Sequence, residues 1–228
     1  MRRRHFLTGA LASGVAAFGA SRARAGGDEY LSWSAEQAER IAKSTRQTGK
    51  VGSRFHERLL KTERAVNYKL IATWMTPEVI RATARWLQLG KRLTADQTRA
   101  LVAEAEGVGD TVFMVELDPR EGSGVIPSDW ESYLQARSTD PAPGASVRGT
   151  SDPRLRDMAA LGGIERRNYD YDRFWVVFPL VGPDGRPLFS TGASEAELIT
   201  RVYSQEERTY WPLSNDIRQR AGEIQRRG

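Results

Sequence analysis

Between Phe174 and Leu213 four strand-like runs follow one another, with connections too short to hold a helix. Strands joined so closely pair antiparallel, because a parallel crossover needs a dozen or more residues. Phe174-Trp175-Val176-Val177-Phe178 is an aromatic and β-branched run ending at Pro179, and Gly182-Pro183-Asp184-Gly185 supplies a reverse turn into residues 186–190. Residues 196–203 place Leu198, Thr200 and Val202 on one face, and after Ser204-Gln205-Glu206-Glu207 a last strand is expected over 208–213. A polar helix is expected from Asn215.

Upstream the period changes twice. Ser34-Ala35-Glu36-Gln37 has the form of a capping box opening a first helix that reaches Thr48, and Phe55, Leu59, Leu60 and Val66 recur at helical spacing after Gly49 and Gly52. Residues 68–75 alternate, with Tyr68, Leu70, Ala72 and Trp74 on one side, which predicts a strand. Thr76-Pro77-Glu78 combines an N-cap, a proline at the first helical position and a first-turn acid, so a helix follows with Ile80, Ala84 and Leu87 as its stripe. Gly90 ends it, Thr94-Ala95-Asp96-Gln97 opens another, and residues 111–117 alternate as a second strand. From Asp118 to Arg173 the chain is rich in Pro, Gly, Ser and Asp and lacks an apolar period over 138–153. That stretch reads as a long irregular excursion, shortened by short helices around 128–136 and 153–161.

The resulting fold class is α+β: an antiparallel β-sheet or small β-sandwich, with two helices inserted after the first strand and an N-terminal helical extension. The domain reading is a leader over 1–25, a polar helical extension over 26–66, and one α+β domain over 67–228.

The leader is defined by Arg2-Arg3-Arg4 ahead of an apolar stretch diluted with Gly and Ala, then Ala23-Arg24-Ala25, small residues where a signal peptidase reads. Arg3-Arg4-His5-Phe6-Leu7 resembles the core of the bacterial twin-arginine signal, with Arg3, Arg4, Phe6 and Leu7 at the positions that match it. The resemblance covers the leader only. It implies export by the twin-arginine translocase, cleavage after Ala25 at a site marked by Ala23 and Ala25, and a periplasmic or secreted protein. A stable membrane span is not expected, because the apolar stretch carries glycines and falls short of about 20 apolar residues. Removing the leader takes away five arginines and no acid, so the net charge of +5 falls to zero and nucleic-acid binding is not expected. The chain has no cysteine, so its stability in an oxidising compartment comes without disulfides.

Chemistry is sparse. His56 is the one histidine outside the leader and lies in a basic helical context. Without cysteines or a second histidine, sites for zinc, copper, haem and iron–sulfur clusters are not expected. A serine triad would have to use His56, and no Gly-x-Ser-x-Gly elbow surrounds a serine outside the leader, so none is expected. Gly122-Ser123-Gly124 lacks the remainder of a dinucleotide fingerprint, and no nucleotide cofactor is expected. Carboxylates are the remaining acid–base material: Glu116, Asp118, Glu121, Asp129 and Glu131 cluster where the second strand meets the excursion. Asp170 and Asp172 alternate with Tyr169 and Tyr171 and read as a solvated sheet face rather than a calcium site. Of the six tryptophans most read as core, and Trp130, beside Asp129 and Tyr133, is the candidate contact residue.

These features point to a non-catalytic envelope protein that binds an unknown ligand or protein through the excursion, with Trp130, Asp129 and Tyr133 as contacts. The first alternative is a carboxylate-based hydrolase of envelope polysaccharide. The second is an accessory subunit or chaperone of an exported redox enzyme.

Overall fold

The computed structural model describes residues 27–52, 66–108, 111–120, 123, 125–137, 146–165, 172–182, 184–189, 192–215 and 217–219. The leader with its four signal and two cleavage residues (Arg3, Arg4, Phe6, Leu7, Ala23, Ala25), His56, Gly122, Gly124, Glu121 and the run 169–171 lie outside them.

The described residues open with a 3-10 turn, Asp28–Ser32, and helix α1, Ala35–Lys43, whose N-cap Ser34 accepts the Gln37 N–H. The sequence extends that helix to Thr48; instead strand β1 begins at Arg46 and runs to Gly52. β1 is followed by β2, Asn67–Trp74, helix α2, Pro77–Lys91, helix α3, Ala95–Glu106, and β3, Thr111–Pro119. The two expected helices therefore sit between β2 and β3, and Thr76 and Thr94 cap them as their sequences require. α2 ends at Arg92 in the left-handed region, two residues past the Gly90 that was expected to stop it.

The excursion is where sequence and structure differ most. Residues 128–136, expected as a short helix, contain strand β4, Glu131–Ala136, because Ser132 and Leu134 turn inward at a period of two. β5, Ser146–Arg148, and β6, Thr150–Ser151, follow, and the expected helix near 153–161 is a pair of 3-10 turns, Pro153–Asp157 and Ala159–Leu161. β7, Asp172–Phe178, β8, Glu195–Val202, and β9, Gln205–Pro212, complete the chain, with a helical turn after Ser214. The Gly182–Gly185 turn forms, but residues 186–189 return without a strand, through an isolated bridge between Val181 and Pro187 and the Leu188 N–H donating to the Leu180 carbonyl. The β8–β9 hairpin turns on Tyr203 and Ser204 alone, so residues 205–207 belong to β9.

The strands form two antiparallel sheets, β1-β2-β3-β7-β6 and β5-β4-β8-β9. Inner faces meet in one core, where Leu70, Leu117, Val176 and Leu198 surround an aromatic group of Trp74, Phe113, Phe178 and Trp211. Trp74 stacks on Phe113 at 5.0 Å and meets Trp211 edge-on at 6.3 Å. The other face of the first sheet carries Val112, Met114 and Trp175, which bury Val79, Ile80 and Ala84 of α2 and Val102 and Ala105 of α3. Sandwiched between two cores, β3 is buried from Thr111 to Asp118.

The sheets are joined along both sides. Gly149 lies between β5 in one sheet and β6 in the other, with an added Cβ falling 2.3 Å from Val176 Cγ1. On the opposite side β1 lies along β9: Trp211 Nε1–H donates to the Thr45 carbonyl, and the Glu207 carboxylate covers Gly49 and accepts the Lys50 N–H. Among the described residues no helix is long and apolar enough to cross a membrane.

Candidate ligand-binding cleft

Three distant parts of the chain meet at the N-terminal end of α2. The 3-10 turn brings Glu29 and Tyr30, the next residues bring Trp33, α2 brings Thr76, Glu78 and Arg81, and the chain after β9 brings Ser214 and Asn215. Together with Gly27 they line a polar cleft of about 370 Å³. That volume lies at the lower end of the range for small-molecule sites.

Local chemistry explains how each wall is held. Pro77 can open α2 because its missing N–H costs nothing at the first helical position, and Thr76 Oγ1 accepts the Val79 N–H. Arg81 is tied to Glu106 of α3 at 3.0 Å, and Arg85 Nε donates to the Trp33 carbonyl at 2.9 Å, so α2 fixes the 3-10 segment. Asp28, just outside the cleft, takes three N–H bonds from Arg99, which hold its carboxyl below the ordinary range. Tyr30 is buried, and burial, then the Asp28 charge, push its hydroxyl up, so it stays a neutral donor. The rings of Tyr30 and Trp33 stand edge-on, 6.4 Å apart at 73°.

A second cleft, between α1, β3 and the 162–165 segment, is lined by Thr73, Met114, Glu116 and Arg173 and flanked by Arg46 and Glu165. Glu116 Oε1 accepts from Arg173 Nε and Nη2 at 3.1 and 2.9 Å, and Arg46 pairs with Glu165 at 2.6 Å. Its volume of about 20 Å³ holds little more than a water molecule.

The acids grouped by sequence separate in the fold. Glu116 and Asp118 share the helix-facing side of β3, where Asp118 pairs with Arg120 at 3.1 Å. Glu131 lies on the outer face of the second sheet with Arg148 at 2.9 Å, and Asp129 is exposed before β4. Trp130 packs on Phe174, ring centroids 4.7 Å apart, against the inter-sheet core. Tyr133 donates to Glu131 Oε2 at 2.8 Å, the first cause of its raised hydroxyl pKa, under the Arg201 guanidinium. That outer face is a cross-strand charge ladder: Arg208 bridges Glu197 and Glu206, and Arg201 also reaches Glu206. Trp130 thus packs against the core, whereas Tyr133 lies in the outer-face ladder and Asp129 is exposed before β4.

In the sequence the Thr76-Pro77-Glu78 corner carries only capping chemistry, and nothing local to Trp33 marks a site. The cleft's remaining walls lie far along the chain, and no local spacing joins Tyr30 to Asn215. Compared with known proteins, the chain matches no family model, no curated protein and no solved structure.

Proposed function

We propose that this is an exported, non-catalytic binding protein of the bacterial envelope, whose ligand is a small polar molecule held in the cleft at the N-terminus of α2. The observation that carries the reading is the cleft itself: about 370 Å³, lined by two aromatic, two acidic and several uncharged polar residues. Sites of this kind orient a ligand with a few convergent polar groups and bind it through the aromatic surface.

Export rests on the Arg3-Arg4-His5-Phe6-Leu7 resemblance and on Ala23 and Ala25. Gly27, two residues past the expected cut, lines the cleft, so removal of the leader leaves a short end beside it. Replacing Arg3 and Arg4 with lysine is expected to leave uncleaved precursor in the cytoplasmic fraction; normal export of that variant contradicts the route.

The hydrolase reading is weaker because the carboxylates that share the second cleft, Glu116 and Glu165, are each held by an arginine in a space far smaller than a sugar. Native mass spectrometry of protein purified from the envelope fraction tests the binding reading. A small molecule is expected on the wild type and reduced on Trp33→Ala; equal retention by both places the ligand elsewhere.

A further inference from the structure

The charge around the cleft selects a class of ligand. Glu29 and Glu78 both line it, and neither carries an ion pair among the described residues. Among the described residues the one lining cation is Arg81, and Glu106 pairs with it at 3.0 Å. A helix N-terminus ordinarily favours anions, but here the first turn of α2 has little to offer one. Pro77 has no N–H, the Val79 N–H is taken by Thr76 Oγ1, and the Ile80 N–H by the Thr76 carbonyl. Among the described residues that turn leaves open only the N–H of Glu78, itself an acidic residue of the first turn. An anion at that turn would meet two carboxylates and a single open backbone N–H.

A cation meets the opposite arrangement. Trp33 and Tyr30 stand nearly perpendicular, so they form a corner rather than a flat stack. Aromatic corners with adjoining carboxylates attract organic ammonium groups through the ring quadrupole and through charge. Thr76, Ser214 and Asn215 supply neutral hydrogen-bonding groups around the same space.

Building on the cleft as the binding site, we infer that its ligand is a small organic cation, an amine or quaternary ammonium compound that also carries a hydrogen-bonding group. The probes are choline, ethanolamine and tetramethylammonium, with neohexyl alcohol as the uncharged carbon isostere of choline. Each is titrated into the chain beginning at Gly26, which holds every described residue, at constant ionic strength. The indole N–H resonance of Trp33, assigned with Trp33→Phe, reports binding.

Choline is expected to bind about tenfold or more tightly than its isostere. Glu78→Gln and Glu29→Gln are expected to weaken choline severalfold while leaving the isostere unchanged, and added salt to weaken choline alone. Equal binding of choline and its isostere, insensitive to both substitutions, overturns the cationic class and leaves the cleft as the site. No response to any cation, together with a Trp33 shift on adding envelope extract, has the same meaning. No response to probes or extract removes the cleft reading as well.

Discussion

Glu206 and Glu207 are neighbours on β9 whose carboxyls titrate in opposite directions, because a strand sends successive side chains to opposite faces. Glu206 faces solvent, and hydrogen bonds from Arg208, then Arg201, lower its pKa. Its contribution to stability is present above the ordinary glutamate pKa and is lost as pH falls through the folded value. Glu207 turns toward Gly49 at the seam between the sheets, where burial raises its pKa, against the Lys50 N–H that lowers it. Its protonated form favours the fold below the ordinary glutamate pKa, and that stability is lost as pH rises through the raised folded value. Glu207→Gln, which can still accept the Lys50 N–H, is therefore expected to raise Tm at about pH 7 and to have no effect near pH 4. Glu206→Gln is expected to lower Tm at about pH 7 and to lose that effect under strong acid. Thermal melts of both variants across this range check the pair, and parallel behaviour contradicts the placement of Glu207 at the seam. Of these residues the sequence showed only an acidic turn, since the face each side chain takes depends on where β9 starts.

At the scale of elements, the readings that succeeded rest on local chemistry and those that failed rest on partners. α2 and α3 carry their own caps, and β2, β3 and β8 carry a strong apolar period, so each was visible in isolation. β1 is Arg-Gln-Thr-Gly-Lys-Val-Gly, with Val51 its one buried residue, and it is a strand because β2 and β9 flank it. Gly49, read as a helix interruption, is there because the Glu207 carboxylate lies 2.6 Å from where a Cβ would stand. Gly149 carries a stronger constraint of the same kind. A Cβ there meets Val176 Cγ1 at 2.3 Å and the Phe178 ring at 2.6 Å, both core atoms of β7. Gly149→Ala is expected to cost about 1–3 kcal/mol by overpacking, measured by urea unfolding, whereas an alanine in place of Gly192, with open space around it, is expected to be near neutral. Similar costs for the two contradict the sheet crossing at Gly149.

For the molecule as a whole, the two joined sheets make the excursion part of the architecture. β4 and β5 belong to the second sheet and β6 to the first, so residues 138–153 hold both halves of the crossing. Deleting 138–153 is expected to abolish the cooperative thermal transition rather than remove a detachable binding loop, and a deletion variant that melts like wild type contradicts this. The proposed binding site lies instead where the 3-10 turn, α2 and the chain after β9 converge, a meeting that no stretch of sequence announces. Hydrogen exchange of the chain from Gly26, with and without small molecules extracted from the envelope, tests that placement most directly. Added protection is expected in residues 27–33, 76–81 and 214–215 and none along 131–136. Protection confined to β4 and its neighbours, or none anywhere, contradicts it.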